Sequence, residues 1–127
     1  MMDSIAPISN HFRRWILLSY WVAMFIATHW PKISRYAPQI SHFDKFMHVL
    51  VYGIWTALFW RVLTANGRRV KAATSVKLFV GGMCYAVFDE LTQQLVGRTP
   101  SVSDMVADAI GILLALLILH AWQNKPG

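Results

Sequence analysis

The chain has 127 residues, 56% of them hydrophobic and only 14% charged, with a mean hydropathy of +0.42. Soluble domains carry about 25% charged residues, so this composition excludes a water-exposed globule and indicates one integral membrane domain over residues 1–127. The net charge of +6 comes without a basic stripe interleaved with aromatics, which argues against nucleic acid as a partner, and the single cysteine, Cys84, excludes an intrachain disulfide.

In chain order, residues 1–14 form a polar lead. The uncharged run WILLSYWVAMFIATHW predicts a first helix over about 15–30, with a tryptophan at each end and Pro31 as its stop. Sixteen helical residues span ~24 Å, close to a ~30 Å hydrocarbon core, and terminal tryptophans suit the two interfaces. The loop KISRYAPQISHF follows. A second helix is predicted over about 44–63, then the basic Asn-Gly-containing loop TANGRRVKAATSVK. A third covers about 77–96 and a fourth about 104–122, joined by a short turn through Gly97, Arg98 and Pro100.

The fold class expected is therefore all-α, an integral membrane bundle of four transmembrane helices. Lys and Arg orient it. Arg13, Arg14, Arg61, Arg68, Arg69, Lys71, Lys77 and Lys125 lie on one side; Lys32, Arg35, Lys45 and Arg98 lie on the other. By the positive-inside rule, both termini and the middle loop are cytoplasmic. His11, His29, His42 and His120 fall near the predicted helix boundaries and are expected at the interfaces.

Against that apolar background the acids are concentrated. Four of the six Asp and Glu residues lie in DELTQQLVGRTPSVSDMVAD, residues 89–108, and a fifth, Asp44, opens the patch DKFMH. Asp44, His48 and Tyr52 are four apart on one helical face, as are Asp89 with Gln93 and Asp104 with Asp108. In the four-span topology all of these groups fall in the outer leaflet. A carboxylate inside a bilayer costs a few kcal/mol on insertion scales, so each must be paired, protonated or hydrated. Two readings follow. Lys45, His48 and Arg98 neutralise Asp89, Glu90 and Asp104 and lock the bundle, or the acids form a site; five carboxylates against three cations favour a site. Ala107, Gly111 and Ala115 add a small-residue stripe that permits close helix approach beside the aspartates.

The motifs DKFMHVLVYG, DELTQQLVGR and SVSDMVADAIG resemble the three signature blocks of VanZ-like bacterial membrane proteins. The matching positions are Asp44, Lys45, His48 and Tyr52; Asp89, Glu90, Gln93 and Arg98; Ser101, Asp104 and Gly111, with the resemblance covering about 40–115. Asp108 departs from the pattern, where asparagine is commoner. The resemblance implies a multi-pass protein of the bacterial cytoplasmic membrane linked to teicoplanin resistance, and implies no settled reaction.

The expected function is a site that binds or acts on an anionic envelope lipid or glycolipid. Asp44, His48, Asp89, Glu90 and Asp104 are the candidates for catalysis, with His48 and Asp89 or Glu90 moving the proton. Lys45, Tyr52, Gln93, Arg98, Ser101 and Asp108 are the candidates for binding, with Arg98 and Lys45 on a phosphate. Crowded carboxylates disfavour simultaneous ionisation, so one of a group can keep a proton as a general acid. A divalent cation held by Asp44, His48, Asp89, Glu90 and Asp104 is a variant, for which oxygen-rich ligation suits magnesium, calcium or manganese, without a short ligand motif to favour it. The alternative is a non-enzymatic membrane protein that binds a glycopeptide or partner, or moves a lipid or proton.

Overall fold

The computed structural model describes residues 8–30 and 42–127. All regular structure among them is helical: α1 (Asn10–Thr28), α2 (Phe43–Leu63), α3 (Ala72–Gln93) and α4 (Val102–Gln123), with 3-10 turns at Ala65–Gly67 and Gln94–Val96. The loop after Pro31 and the first seven residues lie outside the described residues, and with them Lys32 and Arg35.

Local capping explains where the helices differ from expectation. α1 starts at Asn10 rather than Trp15, because Ser9 accepts the Phe12 N–H on its hydroxyl at 3.3 Å and so begins the helix within the polar lead. α3 starts at Ala72 rather than Lys77; the segment AATS is short on hydropathy but opens with good helix formers. At its other end the α-helix stops at Gln93 and tightens through a 3-10 turn. Gly97, at φ 79°, then reverses the chain, and the Arg98 N–H returns to the Gln93 carbonyl at 3.1 Å. Ser101 caps α4 by accepting from the Asp104 N–H at 3.3 Å.

The helices run up and down. Arg13 at the start of α1 donates to the Arg61 carbonyl near the end of α2 at 2.9 Å. Arg69, before α3, donates to Gln123 and Asn124 at the end of α4 at 3.1 and 2.7 Å. His120 also belongs to this basic end, 2.6 Å from the Ser75 hydroxyl and edge-on to Trp60. The carboxylates occupy the opposite end.

Packing is closest between α2 and α4. A Cβ placed on Gly111 would lie 2.3 Å from the Val49 carbonyl oxygen, so the two backbones touch there. α1 lies against α2 and α3 against α4, around a core of Tyr52, Trp55, Ala86, Ile112 and Leu116. Trp21 of α1 inserts between Trp55 and Tyr85, edge-on to both at centroid distances of 5.4 and 5.2 Å.

Polarity is inverted relative to a soluble bundle. Phe88, Leu91, Leu113, Leu117 and Ile118 are exposed, whereas Asp89, Glu90, Gln93, Asp104 and Asp108 are buried. In water that arrangement would expose large apolar patches and bury charge, the reverse of the usual partition. α2 and α4 are each long and apolar enough to cross a membrane.

The glycines give a graded test of this packing. Gly111→Ala drives a methyl group into backbone and is expected to lower stability by about 1–3 kcal/mol or to separate α2 from α4. Gly53→Ala, whose Cβ would sit 3.5 Å from the Gly111 carbonyl, should be nearly neutral. Unfolding midpoints of the two variants in detergent check the order; equal midpoints would contradict the close contact.

Candidate functional site

Four helix ends converge on the acidic end of the bundle: the last turn of α1, the first turns of α2, the last turns of α3 and the first turns of α4. Two hydrogen-bonded groups form there.

The first joins α2 to α4. His48 Nδ1 lies 2.8 Å from Asp108 Oδ1. An ionised carboxylate only accepts, so the ring donates from Nδ1, and in the neutral imidazole Nε2 then carries the lone pair. Nε2 lies 3.9 Å from Asp104 Oδ2, and Lys45 Nζ lies 3.8 Å from Asp104 Oδ1. Asp44, the one exposed carboxylate among the described residues, sits beside them; one ligand atom each from Asp44, His48 and Asp104 fall within 4.8 Å of one another.

The second group joins α1 to α3. Thr28 donates its hydroxyl to Asp89 Oδ1 at 2.9 Å, and Gln93 donates to Asp89 Oδ2 at 3.0 Å. His29 Nδ1 is 3.7 Å from Asp89 Oδ1, while its Nε2 meets the Thr92 hydroxyl at 2.8 Å. Tyr52 stands between the groups, 1% exposed, with its hydroxyl unpartnered among the described residues and Asp108, Asp89 and Glu90 around it. Glu90 is equally enclosed, and its Oε2 lacks a partner among the described residues.

The structure thus draws all eleven predicted residues to one end, with three changes of partner. His48 pairs with Asp108 rather than with Asp89 or Glu90, because α2 touches α4 while Asp89 faces α1. Arg98 pairs with no carboxylate among the described residues; it donates to the Thr28 carbonyl at 2.8 Å, tying the turn before α4 to the end of α1. Ser101 is occupied in capping α4 and in a 2.8 Å contact with Ser103.

Thr28, His29 and Thr92 were not foreseen as site residues. His29, expected at the interface, is stacked on Phe25 at 4.0 Å and bonded into the Asp89 group. The available signal was Thr28-His29, two polar residues interrupting an apolar run at the end predicted to face outward.

Beside these groups, α1 and α2 enclose a cleft of about 420 Å³. Its walls include Tyr20, Ala23, Met24, Ala27, Met47 and Val51, and its polar end is formed by Thr28, Asp44, His48, Tyr52 and Arg98.

The family model for VanZ/LLP1 matches residues 4–123. The chain belongs to the VanZ/LLP1 family. No curated protein and no solved structure matches it significantly. Within this VanZ/LLP1 chain, an imidazole oriented by a buried carboxylate at one nitrogen and open at the other is equipped to accept or donate a proton.

A double-mutant cycle measures the central pair. His48→Ala and Asp108→Ala together should destabilise less than the sum of the single effects, with a coupling of about 1.5–3 kcal/mol, as for hydrogen bonds to charged groups. Denaturant unfolding in detergent gives the number. Additive effects would mean the pair does not form.

Proposed function

We propose that this VanZ/LLP1 protein crosses the bacterial cytoplasmic membrane four times with both termini in the cytoplasm, and that its polar end is an outer-leaflet site for an anionic envelope lipid or glycolipid. Three features support the topology. Arg13 and Arg69, which tie helix ends together, lie at the end opposite the carboxylates, the exposed faces are apolar, and two helices have the length and hydropathy of spans.

The observation that carries the ligand class is the cleft between α1 and α2. Its volume lies within the ~300–1,000 Å³ typical of small-molecule sites, and it is apolar along its walls and polar at one end. That gradient fits a lipid whose chain lies against Met24, Ala27 and Val51 and whose head group reaches Arg98 and His48. The acids do not repel such a head group outright, because two of the five already have donors and a third has a cation nearby. Asp108 is held by His48 and Asp89 by Thr28 and Gln93, while Lys45 lies 3.8 Å from Asp104. Arg98 uses one N–H on the Thr28 carbonyl and retains four more, in the planar array that suits a phosphate. In a catalytic version, Arg98 and Lys45 hold the phosphate while His48 moves the proton. Teicoplanin tolerance would follow from changing or sequestering a lipid on which the glycopeptide's target depends.

Purified protein should bind phosphatidylglycerol or a lipid-linked phosphate more tightly than phosphatidylcholine. Arg98→Ala should weaken that preference about tenfold or more, the loss of one charge-assisted contact. Ala27→Trp, which fills the cleft, should weaken binding of the whole lipid. Equal affinity for anionic and zwitterionic lipid would overturn the reading. In cells, His48→Ala, Glu90→Ala, Arg98→Ala and Asp104→Ala should lower teicoplanin tolerance at unchanged membrane accumulation.

A further inference from the structure

The donors at the α2–α4 contact form a set that mutual neutralisation does not require. His48 is anchored from behind by Asp108, which is 1% exposed and therefore held in place by packing. In the neutral ring this tautomer turns the lone pair of Nε2 toward Asp104, and Nε2 has no hydrogen-bond partner among the described residues. Metal-bound histidines are oriented in this way, with the far ring N–H given to a carboxylate that fixes the tautomer and raises ligand basicity.

A separate observation concerns oxygens that folding leaves unused. Asp104 Oδ1 and Glu90 Oε2 are both buried without a hydrogen-bond partner among the described residues. Glu90 is 2% exposed and Asp104 7%, so bulk water does not satisfy either oxygen. Buried polar atoms in native proteins are nearly always satisfied, and an orphan points to a missing water or ion. Among the described residues the lysine near Asp104 is Lys45, at 3.8 Å and nearly half exposed, too loose to satisfy that oxygen.

We propose that Asp44, His48 and Asp104 hold a divalent cation, with Asp108 positioning His48. One imidazole among carboxylates is a donor set for zinc or manganese rather than for magnesium or calcium, which prefer oxygen throughout. The ligand atoms are within 4.8 Å of one another. Donors on a tetrahedral zinc, at ~2.0–2.2 Å from the ion, are ~3.5 Å apart, so the side chains close by about 1 Å on binding. Asp44, exposed at the start of α2, has the freedom to do so. The ion displaces Lys45 from Asp104 and stands next to the cleft, where it adds a positive charge for an anionic head group. Asp108 thereby gains a role, since a carboxylate makes His48 the stronger ligand.

The test uses the full chain, untagged, in detergent and stripped with a chelator, titrated with zinc or manganese chloride alone by calorimetry. Metal content after desalting gives the stoichiometry. One ion per chain is expected. His48→Gln and Asp104→Asn should lose stoichiometric binding, and so should Asp44→Asn, whose exposed side chain can be changed without disturbing the packed bundle. Asp108→Asn should weaken affinity about 10- to 100-fold, the usual effect of an outer-shell partner. His11→Ala, an exposed histidine at the basic end, should bind as the wild type does. Absence of stoichiometric binding to the wild type, or wild-type affinity in Asp44→Asn, would overturn the proposal. No lipid ligand enters this titration. Metal binding without lipid preference would remove only the lipid reading, and lipid preference without metal binding would remove only the metal.

Discussion

The polar end depends on how closely α2 and α4 approach. Their backbones touch where Gly111 meets the Val49 carbonyl, and no side chain fits between them. His48 immediately precedes Val49 on α2, and Asp108 lies one turn before Gly111 on α4. Contact at the glycine therefore delivers the imidazole to the carboxylate at 2.8 Å. Small residues let membrane helices pack without a hydrophobic driving force between them. Here the same contact aligns a hydrogen bond between an imidazole and a carboxylate, so packing and site geometry rest on one residue.

The inverted polarity of the bundle gives these hydrogen bonds their weight. Water cannot easily reach Asp89 or Asp108, so each needs protein donors, and each has them: Thr28 and Gln93 for one, His48 for the other. Removing a donor would leave a buried acceptor to bear its own desolvation, which costs more than the bond itself contributes. Asp104, Glu90 and Tyr52 contrast with this pattern, because each keeps a buried oxygen without a partner among the described residues. Groups satisfied by the fold are explained by the fold. These three lie at the polar end of the bundle, where a ligand or ion can meet them.

Hydropathy made four helices legible, since each apolar run is bounded by charge, proline or glycine. It missed two starting points for one reason. Asn10–Arg14 and Ala72–Val76 are helical through a cap and through propensity, neither of which appears in an apolar profile. The acids were also legible as a group, because positions four apart on three helices must share faces wherever those helices stand. His29 was not: its last-turn position on α1 gave no sign of which helix lay opposite.

By itself the sequence determined the number and class of the helices, the separation of basic from acidic ends, and the membership of most of the acidic cluster. These follow from local properties, namely hydropathy, i to i+4 spacing and the placement of arginines. Only the tertiary structure decided who pairs with whom. His48 went to Asp108 rather than Asp89, Arg98 to the Thr28 carbonyl rather than to a carboxylate, and Asp89 to Thr28 on a helix that carries no acid of its own. Pairing depends on which helix faces which and at what rotation. Those are set by long-range contacts, the Gly111–Val49 approach foremost, and no segment of the chain contains them.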